Sequence, residues 1–290
     1  MLTSHYAAAQ QEPALPTPQQ QQPYSLPWAL RPIIPVSVAR LDTVVALYRD
    51  LQDDLGVTTV LMPTAGYKIT PQLMGIARLG LTGAALPGAA PGAVSVSNPL
   101  LGAIYGVRLS NSLRFACFLG GTIPIGSGGD KSADPAAAAA NTAGLLARAA
   151  MDNAMFAPND VTVIPGLDLA YVNHRLTVQI EVTFLQLMRV KNEAAQSDRF
   201  KTNMTLGLHA GYFLHRLLSA ALELRYQRWL APPAVVSTME NLSLALGPRF
   251  HFPLPGGGVL RPSISYSAGL AGTLHDRSYH AIGVDVPYLF

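Results

Sequence analysis

The residues that offer chemistry are few, and most lack the neighbours that the chemistry needs. Gly126-Ser127-Gly128-Gly129-Asp130-Lys131-Ser132 has the glycines, lysine and hydroxyl of a phosphate-cradling loop. Asp130 stands where that loop needs Gly before Lys-Ser, and no buried strand precedes it. Asp130 and Asp134 supply oxygens of the kind that bind Ca²⁺, but a flexible turn accounts for both. Histidine-assisted hydrolysis needs a hydroxyl placed close to the imidazole. His209 is followed by Ala210-Gly211-Tyr212 and His251 by Phe252-Pro253, which places no serine two residues on. His174, His215 and His275 fall in turns, Cys117 is alone, and no helical pair of ligands suggests a metal site. The expectation is no catalytic residue, no metal and no cofactor.

What remains is charge placed at alternate positions in apolar stretches. Only 13% of the 290 residues are charged, with net charge +3 and mean hydropathy +0.25. Soluble domains carry about 25% charge. The small, scattered positive excess gives no footprint for nucleic acid. The longest uncharged run, Leu79 to Val107, holds Pro87, Pro91 and Pro99, which rules out a membrane helix. A chain of this composition that crosses a bilayer must do so as a closed barrel, because only helices and barrels satisfy every backbone polar group in lipid.

The elements fit that alternative. Twelve alternating segments follow one another: Ile33 to Arg49, Leu55 to Ile69, Gln72 to Leu81, Ser95 to Arg108, Ser112 to Ile125, Asp160 to Val172, His174 to Val190, Lys201 to Leu214, Leu217 to Leu230, Glu240 to Phe252, Gly258 to Leu270 and Ser278 to Phe290. In Leu217 to Leu230, for example, Leu218, Ala220, Leu222, Leu224 and Tyr226 oppose Ser219, Ala221, Glu223, Arg225 and Gln227. Short connections alternate with longer ones, as in barrels with short periplasmic turns. On this parity the interior is lined by Arg40, Asp42, Lys68, Arg78, Arg114, Asp168, Glu181, Arg189, Glu223, Arg225, Arg249, Arg261 and Asp285. Charge belongs there because a basic residue facing lipid at mid-depth costs roughly 2–4 kcal/mol. Prolines 35, 63, 99, 124, 165, 248, 262 and 287 fall within these segments, and each removes a ladder donor. Local bulges are expected at the worst placed, Pro165, Pro248 and Pro262.

Aromatic residues mark one end of every second segment: Tyr67, Tyr105, Tyr171, Tyr212, Phe250 with Phe252, and Tyr288 with Phe290. Rings with an apolar body and a polar edge gather at membrane interfaces, so these eight form the expected girdle. The last segment ends Val284-Asp285-Val286-Pro287-Tyr288-Leu289-Phe290. Its alternation and terminal Phe resemble the closing strand of bacterial outer-membrane β-barrels, with departures at Asp285 and Pro287. The resemblance extends over Ile33 to Phe290 and is to small porin-like and transporter barrels. It implies contact with outer-membrane lipid, recognition of the last strand by the barrel assembly machinery, and both termini in the periplasm. The outer-membrane phospholipases of this class carry a His with a Ser two residues on, which is missing here.

The expectation is therefore an all-β chain, a twelve-stranded antiparallel transmembrane barrel over residues 33–290, with a helical insert in the third outside loop (126–159). Asp134-Pro135 supplies an N-cap and a first-turn proline, and the Ala-rich run to about Phe156 favours helix. That helix lies over the mouth or folds into the lumen; the sequence leaves both open. Residues 1–32, rich in Pro and Gln, read as an extended or disordered periplasmic segment whose secretory signal lies upstream. The function expected is a narrow pore or transporter for a small solute, with weak anion preference from the excess of inward basic residues. The alternatives are a non-conducting structural or adhesive barrel, and then a barrel lipid hydrolase.

Overall fold

The computed structural model describes residues 24–50, 52–86, 92–129, 134–192, 199–233, 236 and 238–290. Twelve antiparallel strands close into a barrel. They are β1 (Val38–Arg49), β2 (Leu55–Lys68), β3 (Leu73–Arg78 and Leu81–Ala85), β4 (Ala93–Val96 and Leu100–Arg108), β5 (Leu113–Thr122), β6 (Asp160–Asn173), β7 (Leu176–Arg189), β8 (Phe200–His215), β9 (Leu218–Ala231), β10 (Glu240–Phe250 and Phe252–Pro253), β11 (Val259–Leu260 and Ser263–Gly272) and β12 (His280–Leu289). Each pairs with its neighbours in sequence, and β12 returns to pair with β1 from Leu47↔His280 to Val38↔Leu289. Closure removes the unpaired edges that an open sheet would expose.

Strand pleating sorts the side chains. Along β9, Ser219, Ala221, Glu223, Arg225 and Gln227 are buried while Leu222 and Leu230 are exposed. The same alternation leaves Leu41, Leu47, Leu101, Leu119, Leu167, Ile180, Leu208, Leu246, Ile264 and Ile282 exposed around the wall. A monomer in water does not hold so many large apolar residues on one continuous surface; a hydrocarbon solvent requires it. Turns on one rim are short (69–72, 109–112, 174–175, 216–217 and 254–258), and the other rim carries 50–54, 86–92, 123–159, 190–199, 232–239 and 273–279. The two-residue turn 174–175 places His174 at φ 47.

Prolines explain where the ladders lapse. Pairing between β6 and β7 skips from Val163↔Gln186 to Gly166↔Thr183 at Pro165. Between β10 and β11 it skips from Leu246↔Tyr266 to Arg249↔Ser263 at Pro248, and Pro262 lies in the interruption of β11. Proline also corrects two expected ends. β1 starts at Val38 and not Ile33, because the residues around Pro35 run inside the barrel; β5 stops at Thr122, before Pro124. β3 extends beyond Leu81 to Ala85, where the expected loop began.

The expected helix is α1 (Pro135–Ala147), capped by the Asp134 carboxylate, which accepts from the Ala136 amide. It is shorter than the run to Phe156, because Ala149 and Ala150 take positive φ (51 and 57) and turn the chain. A second, short helix, α2 (Thr273–Asp276), precedes β12.

Candidate functional site: the filled lumen

Among the described residues, two internal segments occupy the barrel. The first, Tyr24 to Ser37, enters at the short-turn rim, rises beside β7, β8 and β9, and returns to start β1. Tyr24, Ser25, Leu26, Trp28, Leu30 and Ile33 are buried. Residues 24–32 were expected in an extended segment outside the barrel; they carry no helix or strand, but they run within it. Residues 1–23 lie outside the described residues.

The wall holds this segment by its backbone. Glu223 accepts from the amides of Trp28 (2.8 Å) and Ala29 (2.9 Å), and from Arg225 Nε (2.7 Å). Glu181 accepts from the Arg31 amide and its Nη1, both at 2.7 Å, while Gln179 donates to the Arg31 carbonyl at 2.8 Å. Arg40 donates to the carbonyls of Pro27 (3.3 Å) and Trp28. The Trp28 indole donates to Ser263 at 2.9 Å, and the Arg31 guanidinium stacks 3.9 Å above the Phe118 ring. An irregular segment can be buried only when its polar groups find partners, and here charged wall residues supply them.

Two glycines of β8 make the space. A Cβ at Gly207 would stand 2.5 Å from Leu30 Cδ1, and one at Gly211 2.2 Å from Ser25 Oγ. Beside them His209 is fully buried, its Nε2 3.3 Å from Ser25 Oγ and its Nδ1 3.7 Å from Glu223. Neither the inner segment nor this histidine pairing was foreseen. The available sign was small: glycines at inward positions of an otherwise bulky strand mean that something approaches the wall closely.

The second segment is α1 with residues 148–156, which fold into the lumen from the long-loop rim. Ala140 and Ala143 pack with Tyr48, Ala84 and Ala93, and Tyr279 donates to the Ala147 carbonyl at 3.0 Å. Of the two placements the sequence left open, the helix takes the lumen. Arg148 joins Asp42 (2.6 Å) and Asp152 (2.9 Å), and Asp152 also joins Arg78 (2.8 Å). Burial alone would raise the Asp152 pKa, but Arg78 and Arg148 outweigh it and hold it at about 2.

The residues expected to line the lumen can now be placed. Arg40, Asp42, Arg114, Asp168, Glu181, Glu223, Arg225, Arg249 and Asp285 are buried on the inner face. Arg78, Arg189 and Arg261 are half-buried, and Lys68 is exposed at the short-turn rim. Most are engaged: Asp285 bridges Arg40 (2.6 Å) and Arg249 (2.7 Å), Asp168 accepts from Gln179, and Arg261 donates to the Tyr24 carbonyl. Arg189 stands 3.6 Å from Asp160, which also pairs with Lys201. The structure thus uses these charges to hold the inner segments. The aromatic set Tyr67, Tyr105, Tyr171, Tyr212, Phe250, Phe252, Tyr288 and Phe290 is exposed on the outer face along the short-turn rim. The Tyr288 and Phe290 rings stack at 5.6 Å, and Phe250 stacks on Phe252 at 6.0 Å. Gly126 to Gly129 are described as a turn; Asp130 to Ser132 lie outside the described residues.

No family model matches the sequence, and no curated protein matches it. Solved structures of outer-membrane barrels match it at low identity. The NanC porin matches with 10% identity and a TM-score of 0.49, covering 86% of this chain and 98% of the porin. The translocator domain of the autotransporter NalP from Neisseria meningitidis gives 14% identity and 0.47, covering 88% of each chain. A Pseudomonas aeruginosa FadL homologue gives 9% identity and 0.42, covering 88% of this chain and 90% of its own. These likenesses assign neither a solute nor a mechanism.

Proposed function

We propose that the chain is an outer-membrane barrel, both termini periplasmic, that passes a small solute and rests closed behind its own N-terminal segment and loop insert. The observation that carries this reading is how the lumen is filled. Both inner segments are held by hydrogen bonds and ion pairs to the wall, with a cavity of about 50 Å³ left between them. The apolar outer face and the aromatic rim support a lipid setting, in which the last strand is what the barrel assembly machinery reads. Inward basic residues outnumber acidic ones. With Lys68 left out at the rim, the structure still adds Arg31, Arg148 and Lys201 against Asp152 and Asp160 to the residues already named. An open form therefore prefers anions weakly.

A closed structural or adhesive barrel is favoured by one feature, the saturation of these charges by one another, as at Arg40–Asp285–Arg249. Liposome swelling in small sugars, together with reversal potentials in a KCl gradient, separates the readings. A chain lacking residues 131–156 should admit solute and show anion selectivity. No flux from either chain would favour the structural barrel, and a cation-selective current would overturn the charge argument.

A further inference from the structure

One stretch of barrel wall separates the inner cavity from a groove on the outside. Leu30, Ile76, Leu100, Met155, Ile164 and Leu185 contribute to a predominantly apolar lining. On the outer side of the same wall is a groove of about 630 Å³, lined by Ala39, Leu41, Pro63, Ala65, Ala77 and Leu79 among others. Arg40, Thr64 and Arg78 line both spaces. Between them β3 is interrupted at Leu79–Gly80 and β4 at Ser97–Pro99. Pro63 and Pro99 have no amide to give the ladder, and single bonds remain, from the Leu79 amide to Pro63 O (3.1 Å) and from the Ser97 amide to Gly80 O (2.8 Å). Ala39, Ala65 and Ala77 pair across β1, β2 and β3, so a strip of small side chains runs along the outer face beside the break.

We propose that the break at Leu79–Gly80 is a lateral portal between the inner cavity and the bilayer core, passing a small uncharged apolar molecule, with the Arg78 side chain as its latch. Arg78 donates through Nε to Thr64 Oγ1 (3.2 Å) and through Nη1 to Asp152 (2.8 Å). The side chain in the gap is thus pinned by the loop insert, and movement of the insert frees it. The solute class follows from pairing. Each cation among the described residues lining the cavity already holds a carboxylate, Arg31 with Glu181, Arg40 with Asp285 and Arg78 with Asp152, which leaves none of them unmatched for an ion. The remaining lining is largely aliphatic. An apolar cavity of about 150 Å³ takes benzene. This smaller one suits fewer heavy atoms unless Met151 and Met155, unbranched and flexible, swing aside. The portal rests on the membrane reading above but not on ion conductance, so the two fail independently.

The test uses the full chain in phospholipid vesicles with Cys117→Ala and a reporter in the cavity, Ile76→Cys or, if that variant fails to fold, Leu100→Cys. Neutral methyl methanethiolsulfonate, which enters bilayers, is compared with its charged sulfonatoethyl analogue. The neutral reagent should label the reporter faster. Filling the groove with Ala77→Trp, or with Ala65→Phe if that barrel does not fold, should slow neutral labelling by about tenfold, a barrier increase of about 1.4 kcal/mol. Asp152→Asn, which releases Arg78, should speed it. Labelling unaffected by groove filling, or equally fast with the charged reagent, overturns the portal.

Discussion

Glu223→Ala is the most informative single change. Its carboxylate is fully buried and accepts from the Trp28 and Ala29 amides at 2.8 and 2.9 Å, and from Arg225 at 2.7 Å. Hydrogen bonds to a charged group contribute about 1.5–3 kcal/mol each, so losing the two to the inner segment loosens it by roughly 3–6 kcal/mol. Each 1.4 kcal/mol is tenfold in an equilibrium, so local opening rises by about two to four powers of ten. The variant also leaves Arg225 without its carboxylate, which adds to the effect. Hydrogen exchange read by mass spectrometry reports it directly: peptides covering 24–33 should lose protection, while peptides covering Leu81–Ala85 of β3, where Ala84 packs against the loop insert and not the inner segment, should not. Glu223→Gln keeps one acceptor and should fall between. Unchanged protection at 24–33 in Glu223→Ala would refute the claim that this carboxylate anchors the segment.

Other outcomes follow from the same geometry. Leu222 is 41% exposed on the lipid face, so Leu222→Arg should lower stability by about 2–4 kcal/mol and reduce the heat-modifiable folded band on a gel, whereas Glu223→Gln retains it. Replacing Tyr288 and Phe290 together by Ala removes a stacked pair from the rim and should lower outer-membrane insertion, measured by membrane fractionation. Asp152, held at about 2, stabilises the insert fully above its ordinary pKa of about 4 and loses that contribution as pH falls through 2. The contribution is on the order of 2 kcal/mol, so proteolysis within 134–159 should increase on acidification below pH 4 and not between pH 5 and 8.

The wall was legible because its solvent imposes a rule at every second residue. Leu218, Leu222 and Leu224 against Glu223 and Arg225 admit only one register in lipid, and turn chemistry marks the ends. The prolines were legible as interruptions: Pro165, Pro248 and Pro262 fall where the ladders lapse. What fills the lumen was not legible. Tyr24 to Ser37 has no period, because its order comes from partners some 150 to 200 positions away in the chain, such as Glu181 and Glu223. The inward charges fit two readings by sequence, a conduit lining or ion pairs that hold the barrel together; in the structure they are largely engaged by backbone amides and by one another. The insert was legible as a helix through its cap and its alanines, but its depth depends on Arg148 meeting Asp42 and Asp152, which no local pattern shows.

The most direct test of a barrel closed by its own chain is single-channel recording in planar bilayers of three forms: the intact chain, the chain lacking residues 131–156, and Glu223→Ala. The intact chain should be silent or open only in brief bursts, and each altered form, with one of the two closures removed or loosened, should open more often, with the current reversing on the anion side in a KCl gradient. A steady open level from the intact chain, unchanged in the other two, would contradict the account.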